Sequence, residues 1–379
     1  MLSRAIVAAV AIPTLVFAFH EMKSTPRSDA ALALERPATL GSLHVVSPML
    51  EPRSGHAAVL LTNGQVLIVG GMRRNQDFYR SAELYDPATE KFSATGSMAL
   101  ARVGPAAVRL PSGQVLVVGG YVGHSVTDVA EIYDPATGKF SDAGRMTQKR
   151  GRPAVTLLTT GDVLITGGSE NDGPGGVASA ELFHSATGKF EAVAPMHAGR
   201  VSHTSILLTD GRVLICGGRG DEVTASAELY DPASKTFTAT GKMIAPRYKH
   251  SAGLLPDGRV LVAGGSGPLD WHGQLASAEI YDPRTGAFTE TAALTDARFK
   301  LPDEAASLPD GSLLFAGGST TLDVYSPATG KFAPVNDRLP DVRLFMTETK
   351  LADGAVLLTG GYPNNDDRGT AAAYIYRPR

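Results

Sequence analysis

Seven arginines recur along the chain, each four residues after a methionine or leucine, from Met49/Arg53 to Leu339/Arg343. A ring of seven guanidinium groups could bind an anion. Six of the seven repeats, however, also carry an acidic residue further along, and a paired buried charge is tolerated where a lone one is costly. We therefore predict structural Arg–carboxylate pairs that join neighbouring repeats. The acids are Glu83, Glu131, Glu181, Glu228, Glu279 and Asp323.

The position two residues after each of these arginines varies from repeat to repeat. Variation at one position of an otherwise constant repeat is where a binding function is usually added. Three of the seven residues are cationic and would make this region locally positive, although the net charge of the chain is −3. A ligand pocket and a set of solvated surface charges both explain such residues. The seven are Gly55, Gly104, Arg152, Ser202, Lys249, Lys300 and Phe345.

The only tryptophan of the chain, Trp271, lies beside His272 in a short loop that ends in Gly273. A tryptophan on a loop offers a stacking surface for a sugar ring or a contact for a partner protein. Packing of Trp271 against the next repeat would explain it equally well. No catalytic residue is assigned. The candidate ligand-binding residues are Arg152, Lys249, Lys300, Trp271 and His272.

We expect neither a metal nor a cofactor. Three histidines that each follow an arginine by three residues come from different repeats, and their simplest role is a hydrogen-bonded core position. The oxygen-rich stretches 170–172 and 364–367 lack the spacing of a calcium loop. Cys216 is the only cysteine, which excludes an internal disulfide and a thiolate cluster. The histidines are His56, His203 and His250.

These residues are embedded in a repeat that is marked by an apolar run ending in two glycines. The run occurs seven times, at intervals of 43 to 53 residues, which is typical of a repeat architecture. The sequence of each repeat predicts four short strands, here called a to d. In the first repeat they are His56–Leu61, the apolar run into the double glycine, Ala82–Pro87 and a strand that begins at Phe92. Strands a and b are apolar almost throughout, so we expect protein on both of their faces.

The ends of the chain predict how the array closes. The last strand, at 374–376, is a third strand with no fourth behind it, whereas Thr39–Leu43 has the pattern of a fourth strand without a repeat. Pairing of the two would close a ring of seven repeats and hide strand edges that promote aggregation. An open array would instead need polar caps at both ends.

The double glycine, the Glu83–Pro87 strand and the Met-x-x-x-Arg spacing resemble Kelch repeats over residues 38–379. The resemblance implies an all-β, seven-bladed Kelch-type β-propeller with four-stranded blades, distantly like the propeller domain of galactose oxidase. Strand a then borders the central channel, the variable position lies at the channel mouth, and the b–c loops open on the same face. Strand d carries Phe where many Kelch repeats have Trp, and the third repeat reads Phe183-His184-Ser185 in place of Tyr-Asp-Pro.

The first residues differ from the rest. Arg4 precedes an apolar stretch, Ala5–Phe19, which predicts a signal peptide over residues 1–18 with cleavage after Ala18, or else an uncleaved membrane anchor. Residues 19–37 read as a linker. The protein is therefore expected to be exported, periplasmic or secreted, with the membrane engaged only through this segment. The modest net charge argues against a nucleic-acid partner, and we expect a monomer.

Together these features predict an exported, non-catalytic module that binds carbohydrate or protein through its b–c loop face. The alternative is a sugar-modifying enzyme of the epimerase or isomerase kind, similar to the sialic-acid epimerase propellers, with its site at the channel mouth. Copper-radical chemistry of the galactose oxidase type is not expected. Cys216 lies at a packing position of strand b, and no ligand-bearing domain follows the seventh repeat.

Overall fold

The computed structural model describes residues 40–171 and 175–379, which form seven four-stranded antiparallel blades around a channel. This confirms the predicted all-β, seven-bladed propeller. The segments predicted as signal peptide or anchor (1–18) and linker (19–37) lie outside the described residues. Within the described ranges, no helix has the length and hydropathy that crossing a bilayer requires.

In every blade, strands a to d follow one another in space from the channel outwards, and the a strands of neighbouring blades contact each other. Blades 1 to 3 consist of β2 (Ala57–Leu60), β3 (Val66–Val69), β6 (Ala82–Asp86) and β7 (Lys91–Ala94); β8 (Ala106–Arg109), β9 (Val115–Val118), β11 (Ser125–Asp134) and β12 (Lys139–Arg150); and β13 (Ala154–Leu157), β14 (Val163–Thr166), β15 (Ala180–His184) and β16 (Lys189–Val193).

Blades 4 to 6 repeat the arrangement. They consist of β17 (Thr204–Leu207), β18 (Val213–Cys216), β19 (Ala227–Asp231) and β20 (Thr236–Ala239); β21 (Ser251–Leu254), β22 (Val260–Ala263), β23 (Ala278–Asp282) and β24 (Ala287–Thr291); and β25 (Ala306–Ser307), β26 (Leu313–Phe315), β27 (Thr321–Ser326) and β28 (Lys331–Arg338).

The seventh blade combines both ends of the described chain, as the sequence predicts. It consists of β29 (Thr347–Lys350), β30 (Val356–Thr359), β31 (Ala373–Pro378) and, as its outer strand, β1 (Gly41–Val45). β1 pairs antiparallel with β31, in a register that sets Ser42 opposite Arg377. The closing strand begins two residues later than predicted.

The b–c loops carry the remaining short elements. β4 (Met72–Arg74) pairs with β5 (Asp77–Phe78) in the first loop, β10 (Tyr121–Val122) extends the second blade, and a 3-10 turn spans Asp270–His272.

Burial follows the position of each strand in its blade. The b strands are buried along their length, and each of the seven hydrophobic clusters of the described residues lies between two adjacent blades. The prediction that strand a is covered on both faces is wrong for β2 and β8, which are only half-buried. The inner strand borders the channel, so one of its faces meets solvent there.

The predicted Arg–carboxylate pairs are present in six blades, with N···O distances of 2.5–3.0 Å between buried partners. The prediction that these pairs join neighbouring repeats is wrong, because each arginine precedes strand a and its acid lies on strand c of the same blade. The pair instead fixes the connection that arrives from the previous blade. Arg53, for example, bonds Glu83 and also donates from Nη1 to the carbonyl of Gly70 at 2.7 Å. In blade 7 the strand-c position is Tyr374, and Arg343 pairs with Asp341 at 3.4 Å instead.

The three repeat histidines bridge neighbouring blades. The Nε2 atom of His56 lies 3.0 Å from Thr359 Oγ1 of blade 7, and His203 reaches Thr166 of blade 3 at 2.9 Å. Burial, reinforced by nearby arginines, lowers the pKa of His56 and of His203 to about 3, so both rings are neutral. The prediction that these histidines are hydrogen-bonded core residues is confirmed.

Candidate functional site

The seven variable positions form one ring at the mouth of the channel, called the mouth ring below. All seven residues have a left-handed backbone, with φ between 50° and 63°. Backbone hydrogen bonds link four of the seven adjacent pairs; for example, Gly104 N–H donates to Gly55 C=O at 2.8 Å, and Lys249 N–H to Ser202 C=O at 3.0 Å. A positive φ costs a non-glycine residue about 1–3 kcal/mol, and such strain concentrates at functional sites. Five of the seven are not glycine: Arg152, Ser202, Lys249, Lys300 and Phe345.

Arg152 extends from blade 3 across the mouth. Its guanidinium carbon lies 3.7 Å from the centroid of the Phe345 ring, which belongs to blade 7. The side chain passes over Gly104, where a Cβ atom would lie 2.7 Å from Arg152 Cγ, so the glycine provides the space. Among the described residues Arg152 has no hydrogen bond and no ion pair. Its charge is therefore held in position by stacking while its N–H donors remain available.

Lys300 lies in a box of four aromatic rings, called the Lys300 box. Its Nζ donates to Tyr362 Oη at 2.7 Å and lies 3.6 Å from the centroid of the Trp271 ring, with Phe299 and Phe345 completing the box. Burial lowers the pKa of Lys300 to about 7, and the charges of nearby cations add to this effect. Aromatic faces favour the charged form and oppose the effect of burial, so the charge of Lys300 depends on pH near neutrality.

Lys249 is the third cation of the mouth ring, and it is paired. Its Nζ lies 3.1 Å from Asp270 Oδ1, and Tyr248 Oη donates to the same carboxylate. Burial lowers the pKa of Lys249, and Asp270 opposes that effect. The pair fixes the 3-10 turn of the fifth b–c loop against the mouth.

The structure brings four of the five candidate residues together. Trp271 is 44% exposed and packs edge-on against Phe299, with ring centroids 5.0 Å apart, so it is both a rim surface and a packing contact with the next blade. His272 lies on the same turn but is exposed, and its side chain makes no hydrogen bond, ion pair or ring contact with the described residues.

Two acidic residues of the channel were not among the predicted site residues. The spacing from repeat arginine to double glycine is 17 residues in six repeats and 19 in the sixth, and the two extra residues lie between Arg298 and Leu308. As a result β25 has only two residues, and the segment with Asp303 and Glu304 leaves its own sheet. The 19-residue spacing was the sequence signal that could have revealed them.

The displaced segment is bonded to strand a of blade 5 instead. Ala252 N–H donates to Asp303 C=O at 3.2 Å, and Ala305 N–H donates to Ala252 C=O at 2.9 Å. The side chains of Asp303 and Glu304 are accessible from the channel, but they lie inside it, where the walls of the propeller surround them. Burial raises the pKa of Asp303 to about 6 and raises that of Glu304.

Glu348 of blade 7 replaces the ladder bonds that blade 6 has lost. Its carboxyl group accepts from Ala316 N–H at 2.6 Å and from Ala306 N–H at 3.3 Å. Burial raises the pKa of Glu348 to about 8, although these amide donors favour the ionised form. A third carboxyl group thus lines the channel next to the displaced segment.

All members of the mouth ring except Lys300 share one cavity with the three carboxyl groups, and its volume of about 320 Å³ is within the range of small-molecule sites. Arg152 and Lys249 line it from the mouth, and Asp303, Glu304 and Glu348 line it from the wall. Within the described part of the chain, no three His, Cys, Asp or Glu side chains converge as metal ligands would. The cavity can bind a polar organic ligand through charge and through aromatic surface.

Comparison with known proteins identifies the repeat and the fold. Residues 52–99 and 102–147 match the Kelch motif. The structure resembles that of a fungal alcohol oxidase with catalytic diversity among the AA5 family, solved in complex with copper. The TM-score is 0.72 at 16% sequence identity, over 89% of this chain and 76% of the other. At this identity the likeness concerns the fold alone. No curated protein sequence matches the chain.

The residues of this chain do not fit a copper-radical centre. Cys216 is fully buried in β18, where its thiol lies 3.1 Å from Thr204 Oγ1, and burial raises the pKa of that thiol to about 11. A thiol that is shielded in this way is unreactive.

Proposed function

Because this chain is a Kelch-repeat β-propeller, a fold that supports binding and scaffold modules in general, we propose that it is an exported binding protein for an acidic carbohydrate. The ligand enters the channel mouth from the b–c loop face. Arg152 carries the proposal, because its guanidinium crosses the mouth on Phe345 with no protein acceptor among the described residues. A ligand carboxylate would supply that acceptor.

The aromatic rim supports a sugar rather than a simple inorganic anion. The exposed part of Trp271 lies next to the cations, and apolar sugar faces stack on such rings. A protein ligand stays the alternative occupant of this face.

The test is calorimetric titration of the mature protein with D-glucuronic acid and with D-glucose. We expect the acid to bind at least tenfold more tightly, and Arg152→Gln to abolish that preference, because a desolvated charged hydrogen bond contributes about 1.5–3 kcal/mol. Arg145→Gln is the matched control, since Arg145 is 67% exposed on the outer strand of blade 2. Unchanged binding in Arg152→Gln would show that the mouth is not the site.

A sugar-modifying enzyme is the second candidate. Burial raises the pKa of Asp303 to about 6 and that of Glu348 to about 8, and groups that titrate near neutrality are suited to proton transfer. Proton NMR of the bound sugar decides between the two: interconversion of epimers or anomers that is lost in Asp303→Asn would favour the enzyme.

Export is part of the proposal and rests on the apolar stretch after Arg4. The intact mass of the protein from its native host should correspond to cleavage after Ala18. A mass that includes residues 1–18 would instead favour the membrane anchor.

A further inference from the structure

The channel cavity holds opposite charges that do not pair with each other. Arg152 stacks on Phe345, while Asp303 and Glu304 make no side-chain hydrogen bond or ion pair with the described residues. Opposite charges in one cavity gain by forming a salt bridge unless the fold holds them apart. Here the backbone bonds to Ala252 fix the acidic segment, and the ring of Phe345 fixes the guanidinium.

The charges are also arranged along the channel. The mouth ring supplies the cations, and the carboxyl groups come three or four residues later in blades 6 and 7, at Asp303, Glu304 and Glu348. In the other five blades the residue three positions after the mouth ring is small or apolar and uncharged. Those residues are Ala58, Ala107, Val155, Ser205 and Ala252. The cavity is therefore positive at the mouth and negative on one side of its wall.

We infer that the ligand is a zwitterion, a sugar acid with a free amino group, whose carboxylate binds Arg152 and whose ammonium group binds Asp303 and Glu304. This inference rests on the proposed function and specifies its substrate class. An ammonium group would give the two carboxylates a hydrogen-bonded partner, which no side chain among the described residues provides. Burial raises the pKa of Asp303 to about 6 although the charge of Arg152 opposes that effect, and a cation in direct contact would lower this pKa further.

The backbone explains how the two poles stay apart. Lys300 has the same left-handed φ as the other members of the mouth ring, but the two additional residues that follow it let the chain bond to Ala252 of blade 5 rather than to its own sheet. Phe345, at φ 54°, holds the ring on which Arg152 stacks. Because Arg152 and the acidic segment are already held in place, their side chains lose little conformational entropy when a zwitterionic ligand binds.

Four matched sugars test the inference by titration calorimetry: muramic acid, N-acetylmuramic acid, glucosamine and N-acetylglucosamine. Muramic acid carries both the carboxylate and the ammonium group, and N-acetylmuramic acid carries only the carboxylate. Glucosamine carries only the ammonium group, and N-acetylglucosamine carries neither. We expect muramic acid to bind at least tenfold more tightly than N-acetylmuramic acid. Asp303→Asn and Glu304→Gln should each reduce that preference, whereas Glu290→Gln, on the exposed outer strand of blade 5, should not.

The outcomes separate the inference from the proposed function. If N-acetylmuramic acid binds as well as muramic acid while Arg152→Gln still weakens both, the zwitterion inference is wrong and the acidic-sugar function stands. If no acid binds better than its neutral counterpart, both are wrong. A thermal melt of each variant, expected within a few degrees of the wild type, shows that lost binding is not lost folding.

Discussion

Arg152 and Lys300 belong to the same mouth ring but differ in what surrounds their charges. Arg152 is held by one aromatic face and keeps its donors, whereas Lys300 is enclosed by four rings and bonded to Tyr362. Arginine stays protonated in either environment, but lysine titrates when it is desolvated. The first residue is therefore suited to binding an anion, and the second to a charge that depends on pH.

We predict that Lys300 titrates near pH 7, in contrast to exposed lysines near 10.4. Between these values the unfolded chain binds a proton that the folded protein does not, so stability rises with pH over this window. NMR of protein labelled with ¹³C at the lysine ε-carbon measures the midpoint of the Lys300 titration, and the Lys300→Met variant assigns the signal. The same variant should show a smaller rise of melting temperature with pH between about 7 and 10.4. A midpoint above 9.5 would contradict the role assigned to burial.

At the scale of the element, the sixth blade departs from the repeat at its inner strand. Two additional residues shorten β25 to Ala306–Ser307, and Glu348 of the next blade satisfies Ala306 and Ala316 N–H groups. Buried backbone donors need an acceptor. The insertion in blade 6 therefore depends on Glu348 of blade 7, which accepts from the N–H groups that the insertion leaves without a strand partner. An insertion is tolerated here because the displaced backbone bonds to β21 on the other side.

We predict that deleting residues 303–304 is tolerated only when Glu348 is also replaced. The deletion restores the 17-residue spacing and the full ladder, which leaves the Glu348 carboxyl group buried without amide donors at a cost of about 1–3 kcal/mol. The deletion combined with Glu348→Ala should melt within a few degrees of the wild type, and the deletion alone clearly lower. Equal melting temperatures of the two variants would show that Glu348 does not support the insertion.

At the scale of the whole molecule, closure of the ring rests on β1 and β31. Ser42 and Arg377 are paired across this seam, close to the outer edge of blade 7. Directly opposed residues of an antiparallel pair have Cα atoms about 4.5–5.5 Å apart, which suits a disulfide.

We predict that Ser42→Cys with Arg377→Cys forms a disulfide on mild oxidation and raises the stability of the propeller. Cross-linking so long a loop contributes about 6 kcal/mol in the chain-entropy model, and measured contributions of disulfides reach about 5 kcal/mol. The reduced double variant is the matched control and should melt like the wild type, and buried Cys216 should not interfere. Failure to cross-link would show that the seam differs from the register of β1 and β31.

Much of the fold was predictable because short sequence motifs determine each blade and the same motifs recur in every repeat. The double glycines, the turn glycines and the strand patterns recur in each unit, and the Arg–carboxylate pairs follow from residues that every blade but the seventh supplies. Closure by the first strand could be deduced from the missing fourth strand of the last repeat. The mouth ring was found for the same reason, since a variable position is visible only against a constant repeat.

The composition of the site depended on the tertiary structure. Ring closure brings Arg152 of blade 3 to Phe345 of blade 7, and nothing in either repeat indicates that a side chain crosses the channel over Gly104. The sequence contained the longer sixth repeat, but only the structure shows that Asp303 turns into the cavity rather than outwards. A repeat pattern determines the contacts that each unit makes with the next, whereas contacts across the channel arise only when all seven units share one axis.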